Sequence, residues 1–362
     1  MSGLAYKANA DAVKERLRLL WDERVQDRIF AVLDLPSPTL AEFRRSHPES
    51  FCGYPDPAER IAFWDDLLRE RTALEDDSIP SAYLSEFDQG LYGGMLGGDV
   101  RFLCDPRTGW ISSMVPPLLE GWDGFDALAF DENPPWFQRY LRQLGMFVDG
   151  ARDKFGVSHL ILIDGLNFVF ELLGATRTYL SLHEHPEQVR RAIDFAFDLN
   201  LKIHSVFFYA VGAETRGTFS NMMQWHPGRI VSESVDPFHM TSVRDFETWG
   251  RGPAQRIFDA FDGGCLHLHG NGRHLLEAVC SLQGLKAIFM GDDTGFPPAI
   301  DVLDELKARA GDTPLVVSLP LDRFTPALDR HELPGGVLYK VSGAPDLDAA
   351  NRCMQSVRAY RA

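Results

Sequence analysis

The chain has 362 residues, of which 45% are hydrophobic and 24% charged, enough to bury the core of one large or two moderate globular domains. Its 52 acidic and 36 basic residues give a formal charge of −16, which would repel a phosphate backbone and argues against nucleic acid as a partner. No run of about 18 uninterrupted apolar residues occurs, and charges begin near the N-terminus, so we expect neither a membrane-spanning helix nor a signal peptide. The five cysteines are scattered without a CxxC motif, a pattern typical of reduced thiols, and we therefore expect a cytoplasmic protein.

Residues 1–75 are predicted to form a helical N-terminal extension. Their sequence includes KERLRLLWDERVQDRIFAVLDL and PAERIAFWDDLLRERTAL, which have helical periodicity and lack the alternation of a half-buried strand. Residues 99–120 are predicted to form a β-hairpin insertion, because two alternating runs flank the proline- and glycine-containing turn 105–109.

From about residue 158 onward, short apolar runs alternate with longer segments of helical period, which is the pattern of parallel strand and helix units. We predict strands at residues 159–164, 214–220, 229–234, 265–269, 286–291, 314–319 and 337–341. An eighth strand is expected near residues 79–85, and eight parallel strands would close a barrel. The predicted fold class is therefore α/β, a (β/α)₈ TIM barrel over residues 76–362, with one structural domain overall preferred to two.

Two histidines mark the end of one predicted strand. His267 and His269 are two residues apart in the sequence CLHLHGNG, so they share one face of the strand, with Cys265 deeper on the same face. Neutral imidazoles bind metal ions and also serve as acids or bases near neutral pH. The pair is thus a candidate metal or substrate site, and the alternative is a hydrogen-bonded pair that lines a pocket.

Carboxylates follow two of the predicted strands. Asp292 and Asp293 come after the strand that follows the histidines, so either can act as a base, a metal ligand or a partner that orients a histidine. Asp164, at the end of HLILID, is the best further catalytic candidate. Each of these aspartates can instead cap the helix that comes next.

Candidate substrate-binding residues lie on the same strands or on the segments that follow them. Asn271 belongs to a turn that can bind an anion at a helix start or can be an ordinary loop. Glu233 lies near the end of another predicted strand and Asp236 follows that strand, and the two can make one side of a pocket polar. The full set of substrate-binding candidates is Asn167, Arg216, Trp225, Glu233, Asn271 and Tyr339.

Several separate segments resemble the uroporphyrinogen decarboxylase superfamily, and the resemblance covers most of residues 75–362. The segments are 173–187, Ser232-Glu233 with Pro237 and Thr241-Ser242, the HLHGNG turn at 267–272, Gly335-Gly336, and 349–352. This resemblance implies a (β/α)₈ barrel. It also implies one of the superfamily's activities, which are decarboxylation in the haem pathway and cobalamin-linked methyl transfer. Relatives of this type commonly form homodimers.

The sequence departs from both branches of that superfamily. The decarboxylases carry a Gln-Ala-Gly-Arg pattern near the N-terminus, where this chain has RIFAVLDLPSP at residues 28–38. The zinc-dependent methyltransferases carry a His-x-Cys-Gly turn and a second cysteine later in the chain. Here the turn is His267-Leu268-His269-Gly270 and the later place is Val341-Ser342-Gly343. A His-His-Ser set binds zinc less strongly than one with thiolates.

Three functions follow from these patterns. The leading hypothesis is a methyltransferase or demethylase that acts on a small molecule, with His267 and His269 holding zinc or another divalent metal and a partner protein carrying the corrinoid. The second is a decarboxylase without cofactor, in which Asp164 stabilises a cationic intermediate. The third is a barrel that binds a ligand without catalysis. The sequence contains no GxSxG, GxxxxGK[ST] or HExxH motif, so hydrolase, NTPase and zincin functions lack their local signatures.

Overall fold

The computed structural model describes residues 4–48, 51–128, 134–163 and 165–362. Its strands are β1 (Phe30–Leu33), β2 (Phe51–Cys52), β3 (Ser81–Tyr83), β4 (Arg101–Asp105), β5 (Trp110–Met114), β6 (Gly156–Ser158), β7 (Thr218–Ser220), β8 (Gln224–His226), β9 (Val231–Ser234), β10 (Gly264–Leu268), β11 (Leu285–Met290), β12 (Leu315–Pro320) and β13 (Val337–Ser342).

The α-helices are α1 (Ala10–Trp21), α2 (Pro38–Ser46), α3 (Pro57–Arg69), α4 (Gly90–Met95), α5 (Pro135–Ala151), α6 (Leu166–Leu173), α7 (Ala175–Glu184), α8 (Pro186–Val211), α9 (Ala213–Arg216), α10 (Val243–Asp245), α11 (Arg251–Ala260), α12 (Leu276–Cys280), α13 (Leu303–Ala310), α14 (Leu321–Asp329) and α15 (Leu347–Ala359). Helix α8 begins at Pro186, and proline suits the first position of a helix because its missing N–H costs nothing there. None of the helices in the described ranges is long and apolar enough to cross a membrane.

A six-stranded parallel sheet in the order β1-β13-β12-β11-β10-β9 organises the fold. Five of its strands, β9 to β13, lie within two residues of the bounds predicted from the sequence. Side chains alternate between two environments along each strand. Phe30, Cys265, Ala287 and Leu338 face a cluster that includes residues of α1, and the neighbouring residues on each strand face the surrounding helices.

A second sheet has the order β3-β6-β7-β8, in which β3, β6 and β7 are parallel and β8 is antiparallel to β7. A parallel bridge between Ile161 and Ser232 of β9 connects this part of the chain to the six-stranded sheet. The antiparallel pair β4 and β5, joined by the turn at residues 105–110, confirms the predicted hairpin, and β2 adds a third strand to it.

Two buried carboxylates connect β1 to the segment that precedes β3. Asp77 accepts a hydrogen bond from Ala31 N–H at 3.0 Å, and Asp76 accepts one from Leu33 N–H at 2.9 Å. The Asp77 backbone N–H donates to Ala31 C=O at 2.9 Å. Lys7 donates to Asp76 at 2.9 Å, with both side chains almost wholly buried. The edge of β1 is thus satisfied by side chains as well as by backbone groups.

Three predictions about secondary structure are wrong. The strand expected at residues 159–164 lies instead at Gly156–Ser158, and among the described residues of the expected range only Ile161 makes a β-bridge. Residues 1–75 are not purely helical, because Phe30–Leu33 is a strand paired in parallel with β13. All four of its residues are buried, so it lacks the polar and apolar alternation by which a half-buried strand is recognised. The predicted strand 214–220 begins as the short helix α9 and becomes extended only at Thr218, since Gly217 with φ of 78° separates the two.

Candidate metal centre

The centre of the candidate site lies at the carboxyl ends of two adjacent parallel strands. His267 is on β10 and pairs with Ser234 of β9. His269 follows β10 by one residue, and Asp236 follows β9 by two residues at the start of the 3₁₀ segment Asp236–Met240. The parallel register therefore brings a carboxylate from one strand end beside two imidazoles from the next.

One oxygen of Asp236 is close to both histidines. Its Oδ1 lies 3.0 Å from His267 Nε2 and 3.8 Å from His269 Nε2, and the three ligand atoms all lie within 4.8 Å of one another. Among the described residues, Oδ1 has no hydrogen-bond partner of normal geometry. Tetrahedral zinc with nitrogen and oxygen ligands separates the ligand atoms by roughly 3.3–3.5 Å. The three residues fit a divalent metal ion.

The protonation states suit such an ion. Burial alone would raise the pKa of Asp236, but the neighbouring His267, His239 and His269 lower it to about 2. Burial lowers the pKa of His239 to about 4, despite the opposing effect of Asp236. At neutral pH, Asp236 is therefore a carboxylate and His239 a neutral imidazole. Metal ligands must be unprotonated, so the carboxylate is ready to bind without losing a proton.

His239 also lies close to Asp236. Its Nδ1 is 3.6 Å from Asp236 Oδ1, and its ring centre is 5.5 Å from that of His269. The turn after His269 can pack on the ring because residue 272 is glycine: a Cβ there would lie 2.2 Å from His239 Cδ2. The close packing holds this third imidazole against the three candidate ligands.

Asp293 orients one of the histidines. Its Oδ1 accepts a hydrogen bond from His269 Nδ1 at 2.9 Å, and its Oδ2 accepts one from Gly270 N–H at 2.6 Å. Despite burial, which acts in the opposite direction, these contacts hold the pKa of Asp293 below its usual range. Because the carboxylate can only accept, Nδ1 carries the proton and Nε2 keeps the lone pair that faces Asp236. Such partners of metal-bound histidines fix the tautomer and the ring orientation.

Asp292 has a different role in the structure, although it is next to Asp293. Its Oδ1 accepts a hydrogen bond from Ala299 N–H at 2.7 Å and lies 3.6 Å from the Arg273 guanidinium. It therefore caps the helical segment that begins at Ala299, as the alternative interpretation of the sequence allowed.

The contrast between the two aspartates gives a prediction. We expect Asp293→Ala to weaken zinc binding about 10- to 100-fold, because His269 loses the acceptor that fixes its tautomer. Asp292→Ala is the matched control and should leave zinc affinity unchanged while lowering thermal stability. Competition with a chromophoric chelator measures the affinities. Equal zinc affinities for the two variants would contradict the orienting role of Asp293.

A cavity of about 370 Å³ opens beside Asp236. Its polar lining consists of Gln89, Asn167, Glu171 and Asp236, and its remaining walls are largely apolar. Asn167 is held in place by a hydrogen bond from its amide to Ser234 C=O. Asn271 lies near the rim, where its amide contacts the Met240 sulfur at 3.6 Å. The structure thus brings Asn167 and Asn271 to the same region as the histidines and Asp293.

Four other predicted residues lie elsewhere. Arg216 and Trp225 are near the amino end of the second sheet, where the Trp225 indole donates to Arg216 C=O and its ring stacks under Lys14. Tyr339 faces the helices and donates to Pro334 C=O at 2.8 Å. Glu233 is buried on the same face of β9 as Val231, which packs in the helix-facing core. Asp164 lies outside the described residues.

Some residues that the structure places at or near the site are not assigned from the sequence. Asp236 is expected there in a pocket wall and not as a ligand, and Lys340 is not among the candidates. Lys340 is on the opposite face of β13 from Tyr339, with its Nζ 5.0 Å from the centre of the Phe289 ring, and Phe289 pairs with His267. The available signal was strand alternation, which places Lys340 and not Tyr339 on the face of His267.

Comparisons with known proteins support the fold. No known protein family matches the sequence, and no curated protein matches it. Among solved structures, the chain is similar to a methyltransferase from Methanosarcina mazei, with a TM-score of 0.59 and 13% sequence identity over 96% of this chain and 98% of that chain. At this identity, the similarity shows a shared fold.

Proposed function

We propose that the chain is a metal-dependent methyltransferase of the uroporphyrinogen decarboxylase type, which transfers a methyl group between a small substrate and a corrinoid held by a partner protein. The observation that carries this proposal is the cluster of Asp236, His267 and His269 at adjacent strand ends beside a cavity. The fold shared with a methyltransferase over nearly the whole chain adds support.

The proposal includes a closed (β/α)₈ barrel. Its eight strands would be β1, β3, β6 and β9 to β13. The Ile161–Ser232 bridge supports closure on the side of β9, and the hydrogen bonds of Asp76 and Asp77 support closure between β1 and β3. In such a barrel, catalytic residues come from the carboxyl ends of several strands, and this is where Asp236, His267 and His269 lie.

Each residue of the cluster would have its own role in the proposed reaction. Asp236, His267 and His269 would hold the metal. A bound divalent metal supplies a Lewis acid, which draws electron density from a substrate oxygen or sulfur. Asp293 keeps the His269 ring oriented with its Nε2 toward Asp236. Asp236 places a negative charge among three histidines, so a cation entering there meets one full counter-charge.

The cavity walls would hold the substrate and exclude water. Val115, Pro117, Ile163 and Pro237 provide apolar surface, and a less polar environment strengthens electrostatic interactions within it. The amide of Asn167, fixed by Ser234, offers a hydrogen-bonding group in the cavity wall. The decarboxylase hypothesis depends on Asp164, outside the described residues, so no observation here favours it.

The test is a methyl-transfer assay with free cob(I)alamin, in which methylation is followed by its absorbance. Zinc-loaded protein would be given a panel of methyl donors with hydroxyl, thiol, ether and ammonium groups. We expect zinc-dependent formation of methylcobalamin by the wild type and by Asp292→Ala, and none by Asp236→Ala. No activity above that of Asp236→Ala with any donor would overturn the proposal, and metal-independent release of carbon dioxide would favour a lyase.

A further inference from the structure

Two carboxyl groups beside the cavity are not used by the metal centre. Glu171 on α6 lines the cavity, and both of its carboxyl oxygens are buried without a hydrogen-bond partner of normal geometry in the described chain. The Oδ1 of Asp88 is also buried without a hydrogen-bond partner of normal geometry in the described chain. A buried acceptor without a donor carries a desolvation cost that nothing offsets. A ligand that brings a donor or a positive charge would recover part of that cost.

The described residues provide no strong counter-charge for this pair. Burial, and then the proximity of Asp88, raise the pKa of Glu171 to about 8. Burial raises the pKa of Asp88 to about 7, although Tyr83 and His267 act in the opposite direction. No lysine or arginine contributes to either shift, and none of the described residues that line the cavity is basic. The end of the cavity near Glu171 therefore presents two carboxyl groups that can pair with a cation once they lose their protons.

The cavity walls offer surfaces that suit alkyl groups around such a cation. The rings of Phe170 and Tyr179 meet edge to face, with centres 6.4 Å apart. Met114, Phe170 and Met240 are unusually exposed for large hydrophobic side chains, at 37%, 37% and 72%, and all three line this cavity. Aromatic faces attract ammonium ions, and exposed apolar side chains grouped around one cavity indicate a binding surface.

We propose that the cavity binds a small molecule that carries an organic ammonium group. The ammonium would lie near Glu171 and Asp88 with its alkyl substituents against Phe170 and Tyr179. An oxygen or sulfur atom at the other end of the ligand would then face the cluster of Asp236, His267 and His269. This inference rests on the proposed function, and it names the substrate class of the same site.

The test compares two probes that differ only in charge. Choline carries a quaternary nitrogen where 3,3-dimethylbutan-1-ol carries a carbon, and both end in a hydroxyl group. Calorimetry on the full-length chain should show choline binding at least tenfold more tightly, a difference of about 1.4 kcal/mol. Glu171→Gln should remove that preference, whereas Glu184→Gln, an exposed site on α7, should retain it. Thermal melting of each variant confirms that it is folded.

The pH dependence provides a second readout. Because the carboxyl groups must lose protons to pair with a cation, choline should bind more tightly at pH 8.5 than at pH 6, with proton release visible as a buffer-dependent enthalpy. Tyr83, His267 and Asp236 also face this region, so the pH effect must disappear in Glu171→Gln to be assigned to Glu171. Equal binding of the two probes, or an unchanged choline preference in Glu171→Gln, would overturn the inference.

The same measurements separate this inference from the proposed function. A choline preference without added zinc supports the ammonium site even when the methyl-transfer assay fails. Zinc-dependent methyl transfer without any preference for choline contradicts the ammonium site alone.

Discussion

Asp236→Ala should abolish stoichiometric zinc binding and zinc-dependent methyl transfer. Asp236 contributes the carboxylate of the cluster, and its Oδ1 is the atom close to both His267 Nε2 and His269 Nε2. Without it, two imidazoles and no negative charge remain, and the affinity for a divalent cation should fall by at least about 100-fold, or 2.7 kcal/mol. Zinc content after dialysis, measured by mass spectrometry, gives the result directly.

Two further variants make this result specific. His267→Ala should have the same effect, because it removes another ligand from the same cluster. Asp292→Ala should retain zinc at the level of the wild type, since that carboxylate is bound to Ala299 N–H. If Asp236→Ala retains stoichiometric zinc, Asp236 is not a ligand and the metal centre described above is wrong.

Asp76→Ala should destabilise the fold by about 3–5 kcal/mol, because it leaves the buried ammonium of Lys7 without its carboxylate. The same change removes the acceptor of Leu33 N–H at the edge of β1. Chemical denaturation monitored by circular dichroism measures the loss. Glu187→Ala, which breaks an exposed ion pair with Arg190, is the control and should cost less than about 1 kcal/mol.

The pH dependence of that stability follows from the same contacts. Burial opposes ionisation of Asp76, but Lys7, Arg71, Ser78 and Leu33 N–H together hold its pKa below its usual value. Its contribution to stability is therefore complete above the ordinary aspartate pKa of about 3.9 and is lost as the pH falls through the lower value of the folded state. Asp76→Ala should be less sensitive to acid in this range. A loss below 1 kcal/mol would show that the carboxylate does not support the junction of β1 and β3.

The sequence predicted the later strands well because their signals are local. Strands β10 to β13 are apolar runs bounded by glycine or proline, and helices with a clear apolar face separate them. Strand β1 gave no such signal, because Phe30–Leu33 is buried on both faces and pairs with Val337–Ser342 at the other end of the chain. A contact between residues about 300 positions apart leaves no trace in local periodicity.

Part of the candidate site was predictable because its sequence signals are also local. His267 and His269 were identified from their spacing on one strand, and Asp293 from its place after the next strand. Asp236 was not identified as the third ligand, because it joins the histidines only through the register of β9 with β10. Tyr339 was chosen where Lys340 faces inward, an error of one residue that reverses the face of a strand. The state of Asp88 and Glu171 depends on their burial, which the sequence does not show.

X-ray absorption at the zinc edge on zinc-loaded protein tests the metal centre most directly. We expect about one zinc per chain, bound only by nitrogen and oxygen at about 2.0–2.2 Å, with the imidazole signal reduced in His267→Ala. A sulfur shell near 2.3 Å, or an unchanged spectrum in His267→Ala, would contradict the assignment of Asp236, His267 and His269 as the metal centre.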